Sequence, residues 1–176
     1  MASRYWHPIA VCLAIAGAGP ALAQSAERVA AHTDWSVFVA SDPKECYIVS
    51  PPTKSVAQRD GKPADVQRGD IRLFVAFRPG ENVSNEVSFT GGYPFQGGST
   101  VSMEIAGQKF NLGPGQGDAG EWAWTDPSDD SRVVAAMRAG ATATITGVSS
   151  RGTTTIDTFS LSGFTAAIED AEGRCR

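Results

Sequence analysis

Side chains that could carry nucleophilic or metal chemistry are scarce in this sequence of 176 residues, which has two histidines and three cysteines. Once the N-terminal segment described below is removed, His32 is the one histidine left, and we expect it to be a solvated residue. A hydrolase usually needs a histidine beside its nucleophile, and a zinc site needs three or four converging ligands. The sequence also has no phosphate-binding glycine motif. We therefore predict no enzymatic activity, no catalytic residues, no metal and no cofactor.

Acidic residues are the remaining candidates for catalysis. Glu86, Glu104 and Glu121 lie on or near predicted strands, and a glycosidase needs two carboxylates roughly 5–10 Å apart. Their alternation with valine and methionine favours outward positions on half-solvated strands instead. The acidic cluster at 126–130 does not have the spacing of a calcium loop. We expect Asp126 to cap a helix whose first turn holds Asp129 and Asp130.

Two aromatic features could bind a partner. Trp122 and Trp124 are two residues apart and therefore share one face of an extended segment. Tyr93 and Phe95 flank a proline between two Gly-Gly pairs. Exposed aromatic rings suit either sugar stacking or a protein contact. The alternative is that the tryptophans cover one end of the core and that the Tyr-Pro-Phe turn packs back on the sheet.

A third motif, Arg68-Gly69-Asp70, spells the integrin-type tripeptide at a predicted corner between a loop and a strand. A match of three residues has low specificity. Asp70 can equally be explained as the residue that begins the next strand.

The N-terminus has the features of a secretory signal peptide. Arg4 precedes the short apolar run Pro8 to Ala18, and Ala21-Leu22-Ala23 supplies the small side chains needed for cleavage. We predict cleavage after Ala23 by a Sec-type route and a periplasmic, secreted or cell-surface location. The remaining chain has no predicted membrane span. It keeps 14 basic and 19 acidic residues, a net charge of -5, which disfavours a nucleic acid partner.

Alternating apolar residues predict about eight short strands in a single domain over residues 34–176, after a flexible lead-in at residues 24–33. In the most apolar strand, Ile71 to Phe77, both faces are apolar, so we expect it to be central and covered on both sides. Residues 53–69 are polar and predicted to form a loop. Helices are predicted from Asp126 to Gly140 and from Ser162 to Cys175. This pattern indicates a mainly β, antiparallel sandwich with one or two peripheral helices.

Two cysteines remain after removal of the signal peptide. Cys175 falls on the same helical face as Phe164 and Ile168, and Cys46 begins a short apolar strand. In an oxidising compartment a disulfide between them is the simplest arrangement. Two buried free thiols, or a bridge to another molecule, are the alternatives.

Several segments together resemble the invasion-associated locus B family of alphaproteobacteria. They comprise the early Trp35 strand, the strand after Cys46, Arg68-Gly69-Asp70-Ile71, the Gly-Gly-Tyr-Pro-Phe turn, Glu121-Trp122-Ala123-Trp124, Arg151-Gly152-Thr153 and the closing run from Phe159 into Cys175. The resemblance implies an exported envelope protein with an immunoglobulin-like β-sandwich, linked to host-cell entry in pathogenic members and without a defined enzymatic activity. Many members carry a further cysteine after the early tryptophan, and its absence here implies a single bridge.

These observations predict a non-enzymatic envelope protein that acts through contact with a protein or envelope partner. Trp122, Trp124, Tyr93 and Phe95 are the candidate contact residues. The alternative is a carbohydrate-binding or glycan-processing sandwich that uses Trp122 and Trp124, and a third hypothesis is a structural envelope protein. The sequence identifies neither the partner nor the oligomeric state.

Overall fold

The computed structural model describes residues 26–176. The predicted signal peptide and its cleavage site lie outside the described residues. In chain order the strands are β1 Glu27–His32, β2 Trp35–Ser41, β3 Lys44–Ser50, β4 Lys54–Arg59, β5 Lys62–Pro63, β6 Arg72–Arg78, β7 Val83–Thr90, β8 Val101–Ile105, β9 Gln108–Pro114, β10 Trp122–Thr125, β11 Thr142–Val148 and β12 Thr154–Ser160. Helix α1 spans Asp130–Ala139, between β10 and β11, and helix α2 spans Phe164–Cys175.

All the strands belong to one antiparallel sheet with the order β1-β2-β3-β6-β7-β10-β9-β8-β11-β12-β4-β5. Phe89 of β7 and Phe159 of β12 are far apart in this order, yet their ring centroids lie 6.0 Å apart. The sheet therefore folds over on itself, and its two halves enclose one hydrophobic core. The prediction of a mainly β, antiparallel, sandwich-like fold with one or two helices is confirmed, and the described residues contain two α-helices.

Side-chain alternation explains how the strands fill this core. In β6, Leu73, Val75 and Phe77 point inward and are buried, while the residues between them point outward. The predicted helical stripe of α2 is also confirmed, because its buried residues are Phe164, Ala167, Ile168, Ala171 and Cys175. Helix α2 packs against β1, β2, β3 and β6.

The disulfide links Cys46 of β3 to Cys175 of α2, with the two Cα atoms 5.8 Å apart. The predicted pairing is confirmed. The bridge joins residues separated by 129 positions, and a loop of that size corresponds to about 4–5 kcal/mol in the chain-entropy description. Its location holds the terminal helix on the inner side of the first half of the sheet.

The predicted flexible lead-in is wrong for most of its length. Residues Glu27–His32 form β1, which pairs with β2 as an edge strand of the sheet. The expectation that His32 is a solvated residue is also wrong, since its Nε2 lies 3.0 Å from Oδ2 of Asp170 on α2. The alternation of Trp35, Val37 and Val39 predicts that β2 is a strand, but it does not indicate which segment pairs with it. The polar segment β1 does so.

Two other local predictions need correction. The segment 53–69 is not all loop, because β4 pairs with β12 and then turns into the short strand β5. Helix α1 begins at Asp130 rather than at Asp126. The Asp126 carboxylate accepts a hydrogen bond from the backbone N–H of Ser128 at 2.9 Å, which makes a turn before the helix. The predicted end of α1 at Gly140 is confirmed.

The two edges of the sheet are poorly suited to pairing with another strand. The pairing of β1 is irregular between Arg28 and Ala30, and β5 has only two residues, one of them Pro63. Short, irregular or proline-containing edges discourage intermolecular pairing. The outer faces of the sheet are better candidates for specific contacts than its edges.

Candidate functional site

An aromatic stripe crosses the outer face of the first half of the sheet. Its ring centroids are separated by 5.1 Å between Phe38 and Tyr47, 5.9 Å between Tyr47 and Phe74, 5.3 Å between Phe74 and Trp122, and 6.1 Å between Trp122 and Trp124. All five side chains are only partly buried. The stripe therefore presents a connected set of ring surfaces to the outside.

Strand register brings these rings together. Phe38 of β2 lies opposite Tyr47 of β3, and Ser88 of β7 lies between Phe74 of β6 and Trp124 of β10. The small residues Ala76 and Ser88 are buried beneath the rings, at 6% exposure each. Large side chains around two small ones leave a depression, which we call the aromatic groove.

The aromatic groove has a volume of about 560 Å³. One wall comes from the loop between β9 and β10, which contributes Asp118 and Ala119. The loop is held closed by a hydrogen bond from the Gly115 N–H to the Trp122 carbonyl at 2.9 Å. A Cβ atom on Gly115 would lie 2.5 Å from the Ala119 carbonyl oxygen. The wall therefore depends on glycine at this position.

Charged residues border one end of the groove. Arg78 makes a bidentate pair with Glu86, at 3.0 and 2.8 Å, and its Nε donates to Glu81 at 2.9 Å. Glu45 lies 3.5 Å from the same guanidinium. The hydrogen bond to Glu86 is the main cause that raises the pKa of Arg78. We call Glu45, Glu81 and Glu86 the acidic rim, and its three carboxylates exceed the single positive charge of Arg78.

The structure places Trp122 and Trp124 side by side on one face, as their spacing predicts. They lie on the outer face of the sheet and do not cover an end of the core. Of the three glutamates considered as catalytic candidates, only Glu86 lines the groove with them, whereas Glu104 and Glu121 lie outside it. The prediction that β6 is covered on both sides is wrong, because Phe74 remains partly exposed.

Most residues of this surface are not among the predicted contact residues, namely Phe38, Glu45, Tyr47, Phe74 and Arg78. The signal that could have revealed it was the apolar residues on both faces of β6. Such a strand is either covered by a second layer or lies under a binding surface. The sequence-based prediction for β6 is the first of these, a second covering layer.

A second depression, the polar cleft, has a volume of about 500 Å³ and includes Tyr93, Glu121 and Arg151. At its base Arg68 makes a bidentate pair with Asp157 of β12, at 2.8 and 2.6 Å. The Arg68 side chain is 9% exposed and that of Asp157 is fully buried. The guanidinium also lies 5.0 Å from the centroid of the Tyr93 ring.

Further contacts within the polar cleft stabilise the fold. The Tyr93 hydroxyl lies 2.6 Å from Oγ1 of Thr155, and Arg59 donates to Oγ1 of Thr153 at 2.8 Å. Gly69 donates to the carbonyl of Gly92 at 2.8 Å, and Gly92 has a φ of +69° with the Gly69 backbone pressed against it. Burial, more than the hydrogen bond with Thr155, determines the direction of the Tyr93 pKa, which is raised. These contacts tie loops and strands together.

Two predicted contact features are therefore not presented to a partner. Phe95 is 6% exposed and lies in the core, where its ring contacts those of Phe89 and Tyr93. The alternative, in which the Tyr-Pro-Phe turn packs back on the sheet, applies to Phe95. Of the two charged side chains in Arg68-Gly69-Asp70, only that of Asp70 is exposed, because Arg68 is held by Asp157. The side chains of this tripeptide cannot be read together as an integrin motif.

Within residues 26–176 no cluster of His, Cys, Asp and Glu has the arrangement of a metal site. Neither helix in that part of the chain is long and apolar enough to cross a bilayer. Of the acidic side chains that line the groove, Glu45 and Glu86 are paired with Arg78. What the arrangement can do chemically is to provide aromatic and charged contacts for a ligand.

The fold and the surfaces define a small, disulfide-bridged, antiparallel β-sandwich protein with an open aromatic groove on one outer face. The family model described as Invasion associated locus B (IalB) protein matches residues 62–172, and the chain belongs to this family. The resemblance found in the sequence is confirmed. Neither the curated proteins nor the solved structures contain a significant match to this chain. The family is not a known enzyme family, and together with the disulfide it favours an extracytoplasmic protein.

Proposed function

We propose that this protein is an exported, non-enzymatic envelope protein that acts by binding a protein or envelope partner through its aromatic groove. The observation that carries the proposal is the aromatic stripe of five partly exposed rings across the outer face of the sheet. In pathogenic relatives such contact would serve host-cell interaction. The polar cleft has the role of holding the fold together.

Export is supported by the N-terminal sequence pattern and by the disulfide between Cys46 and Cys175. Disulfides form and persist in oxidising compartments such as the periplasm and the cell surface. Sequencing the N-terminus of the protein purified from its native host tests this part directly. A mature chain that begins at Gln24 is the expected result, and a chain that begins at Met1 would contradict export.

Binding is supported by the cost of leaving such rings in water. Tryptophan, tyrosine and arginine are the residues that most often dominate the energy of protein interfaces. Trp122, Trp124, Tyr47 and Arg78 bring these types into one depression. A connected apolar surface bordered by polar residues is characteristic of an interaction site.

A sugar ligand is the second candidate, and the stacked pair Trp122 and Trp124 is the observation that favours it. Their ring planes are inclined by only 25° and share one side of the groove. Parallel aromatic faces suit the apolar face of a sugar ring. In this alternative the groove binds an envelope glycan. The purified mature protein should then bind neutral oligosaccharides.

The experiment is a pull-down from envelope extracts with the mature domain and with a Trp122→Ala/Trp124→Ala variant. We expect the native domain to retain a partner that the double variant loses. Tyr93→Phe is the control, because it changes an aromatic residue of the polar cleft. If the double variant retains the same partner, the groove is not the contact surface. Recovery of the protein alone would favour a structural role.

A further inference from the structure

We propose that the aromatic groove recognises a basic side chain, arginine or lysine, on a partner protein. The apolar stem of that side chain lies along the rings, and its charge is directed toward the acidic rim. This inference rests on the proposed function of the groove as a contact surface. It adds the chemistry of the group that is bound.

The groove carries more negative than positive charge. Glu45, Glu81 and Glu86 surround the single guanidinium of Arg78. Asp118 adds a fourth carboxylate on the opposite wall. Arg78 can compensate only one of these charges, so the groove and its rim carry an excess of negative charge. A positive group is attracted to such a site, and an acidic ligand is repelled.

Aromatic rings form the surface beside these carboxylates. The faces of tryptophan and tyrosine rings attract cations, and arginine stacks on them readily. The protein itself uses this contact elsewhere, with Arg68 5.0 Å from the Tyr93 centroid and Arg132 5.2 Å from the Phe110 centroid. Both of these contacts lie outside the groove. Trp122, Trp124 and Tyr47 therefore offer ring faces to a cation from another molecule.

The shape of arginine and lysine side chains fits the two parts of the groove. Each has a long apolar stem and a charged end, so it matches a surface that is apolar in one part and acidic in another. The floor at Ala76 is apolar, and the acidic rim begins at the neighbouring outward position of the same strand, where Arg78 anchors it. A neutral sugar would use the rings and could donate hydrogen bonds to the carboxylates, but it would gain nothing from their excess of negative charge.

The test titrates the mature protein with a five-residue peptide that contains two arginines, and with the same peptide in which citrulline replaces both. Citrulline keeps the shape and removes the charge. Binding is followed by tryptophan fluorescence, to which Trp122 and Trp124 contribute directly. We expect the arginine peptide to bind more tightly, and its affinity to fall as salt is raised.

The decisive variant is Glu45→Gln/Glu81→Gln, which removes two carboxylates and leaves the bidentate pair of Arg78 and Glu86 in place. We expect it to bind the arginine peptide about three- to tenfold more weakly. The control is Glu104→Gln/Glu121→Gln, which changes the net charge equally at exposed positions outside the groove. The control should bind like the native protein, and thermal unfolding checks that both variants are folded.

Equal affinity for the two peptides, equal weakening in both variants, or no binding of either peptide would overturn this inference. Binding of a neutral N-acetylglucosamine oligomer that the Glu45→Gln/Glu81→Gln variant leaves unchanged would favour the sugar alternative. If the tryptophan variant loses the envelope partner but the charge variant keeps it, the groove is the contact surface and only the basic ligand is wrong. The two failures are thus distinguishable.

Discussion

The aromatic groove and the polar cleft have nearly the same volume, about 560 and 500 Å³, but their side chains are committed to different tasks. In the cleft, Arg68 and Asp157 are buried and bonded to each other, and the Tyr93 hydroxyl is in contact with Thr155. In the groove, the rings of Trp122 and Trp124 remain partly exposed and contact each other.

This difference shows that a cavity is better judged by the state of its side chains than by its size. Polar groups that are fully paired inside the protein have little left to offer a ligand, and their loss harms the fold. Exposed rings contribute less to folding and can gain by being covered. We therefore expect substitutions in the cleft to reduce stability and substitutions in the groove to reduce binding.

The largest effect is expected from Asp157→Asn in the polar cleft. This change leaves the buried charge of Arg68 without its partner, which we expect to lower the free energy of unfolding by about 3–5 kcal/mol. Urea denaturation measures the loss. Glu86→Gln in the groove is the comparison, since its pair with Arg78 is partly exposed and should contribute about 1 kcal/mol or less. Equal losses of unfolding free energy in the two variants would contradict the distinction between the cleft and the groove.

The next effect concerns the disulfide, which lies behind the layer that bears the groove. Replacing Cys46 and Cys175 together by serine should lower the free energy of unfolding by about 2–5 kcal/mol, because the unfolded chain is no longer constrained. Below the unfolding transition, the affinity of the groove for the arginine peptide should be unchanged. A large loss of affinity in the folded variant would mean that the bridge shapes the groove.

Removing the two tryptophans should have the opposite consequences, namely a large loss of affinity and a small loss of stability. In Trp122→Ala/Trp124→Ala we expect affinity for the arginine peptide to fall at least about tenfold, as for central aromatic residues of interfaces. The free energy of unfolding should fall by about 1 kcal/mol or less, in the range of surface substitutions. Isothermal titration calorimetry and urea denaturation of the same samples separate the two effects. Loss of stability without loss of affinity would assign the rings to the fold.

Tyr93→Phe tests the difference between the cleft and the groove by removing a single oxygen atom. The change removes the contact with Thr155 and keeps the ring beside Arg68. We expect a loss of about 1 kcal/mol in the free energy of unfolding and unchanged affinity for the peptide. Reduced affinity in this variant would extend the binding surface into the polar cleft.

The smallest effect is expected in alkaline titration, because each surface carries one of the two tyrosines of residues 24–176. Burial is the main cause that raises the pKa of both Tyr47 and Tyr93 above 10.0. The folded state then holds these protons more tightly than the unfolded state does. The stabilisation is complete below pH 10 and is lost as the pH rises through the folded pKa values.

Ultraviolet absorbance of the tyrosinate form in Tyr93→Phe and Tyr47→Phe isolates one tyrosine at a time. Saturation with the arginine peptide should lower the pKa of Tyr47, because a positive charge favours the tyrosinate, and should leave that of Tyr93 unchanged. A shift at Tyr93 alone would place the peptide in the cleft and would reverse the roles of the two surfaces.

Several features were predictable because they depend on local periodicity or on composition. The stripe of α2 from Phe164 to Cys175 follows from helical spacing, and the pairing of Cys46 with Cys175 follows from two cysteines that both point inward. The shared face of Trp122 and Trp124 follows from strand geometry. By contrast, β1 and β4 are polar, so they were predicted as lead-in and loop although the sheet pairs with them. Strand pairing can compensate for weak local preference.

Local patterns in the sequence were thus enough to predict the class of fold, the pairing of the two cysteines, the family resemblance and which residues of each strand share a face. Which of those faces are covered could be seen only once the sheet was folded. It left the outer face of β6 open beside Trp122, and it brought Arg68 to Asp157, 89 residues away in the chain. The physical reason is that alternation is a property of neighbouring residues, whereas burial depends on how the sheet folds over. The chain folded so that the charges of the cleft are enclosed and the rings of the groove are left in reach of a partner.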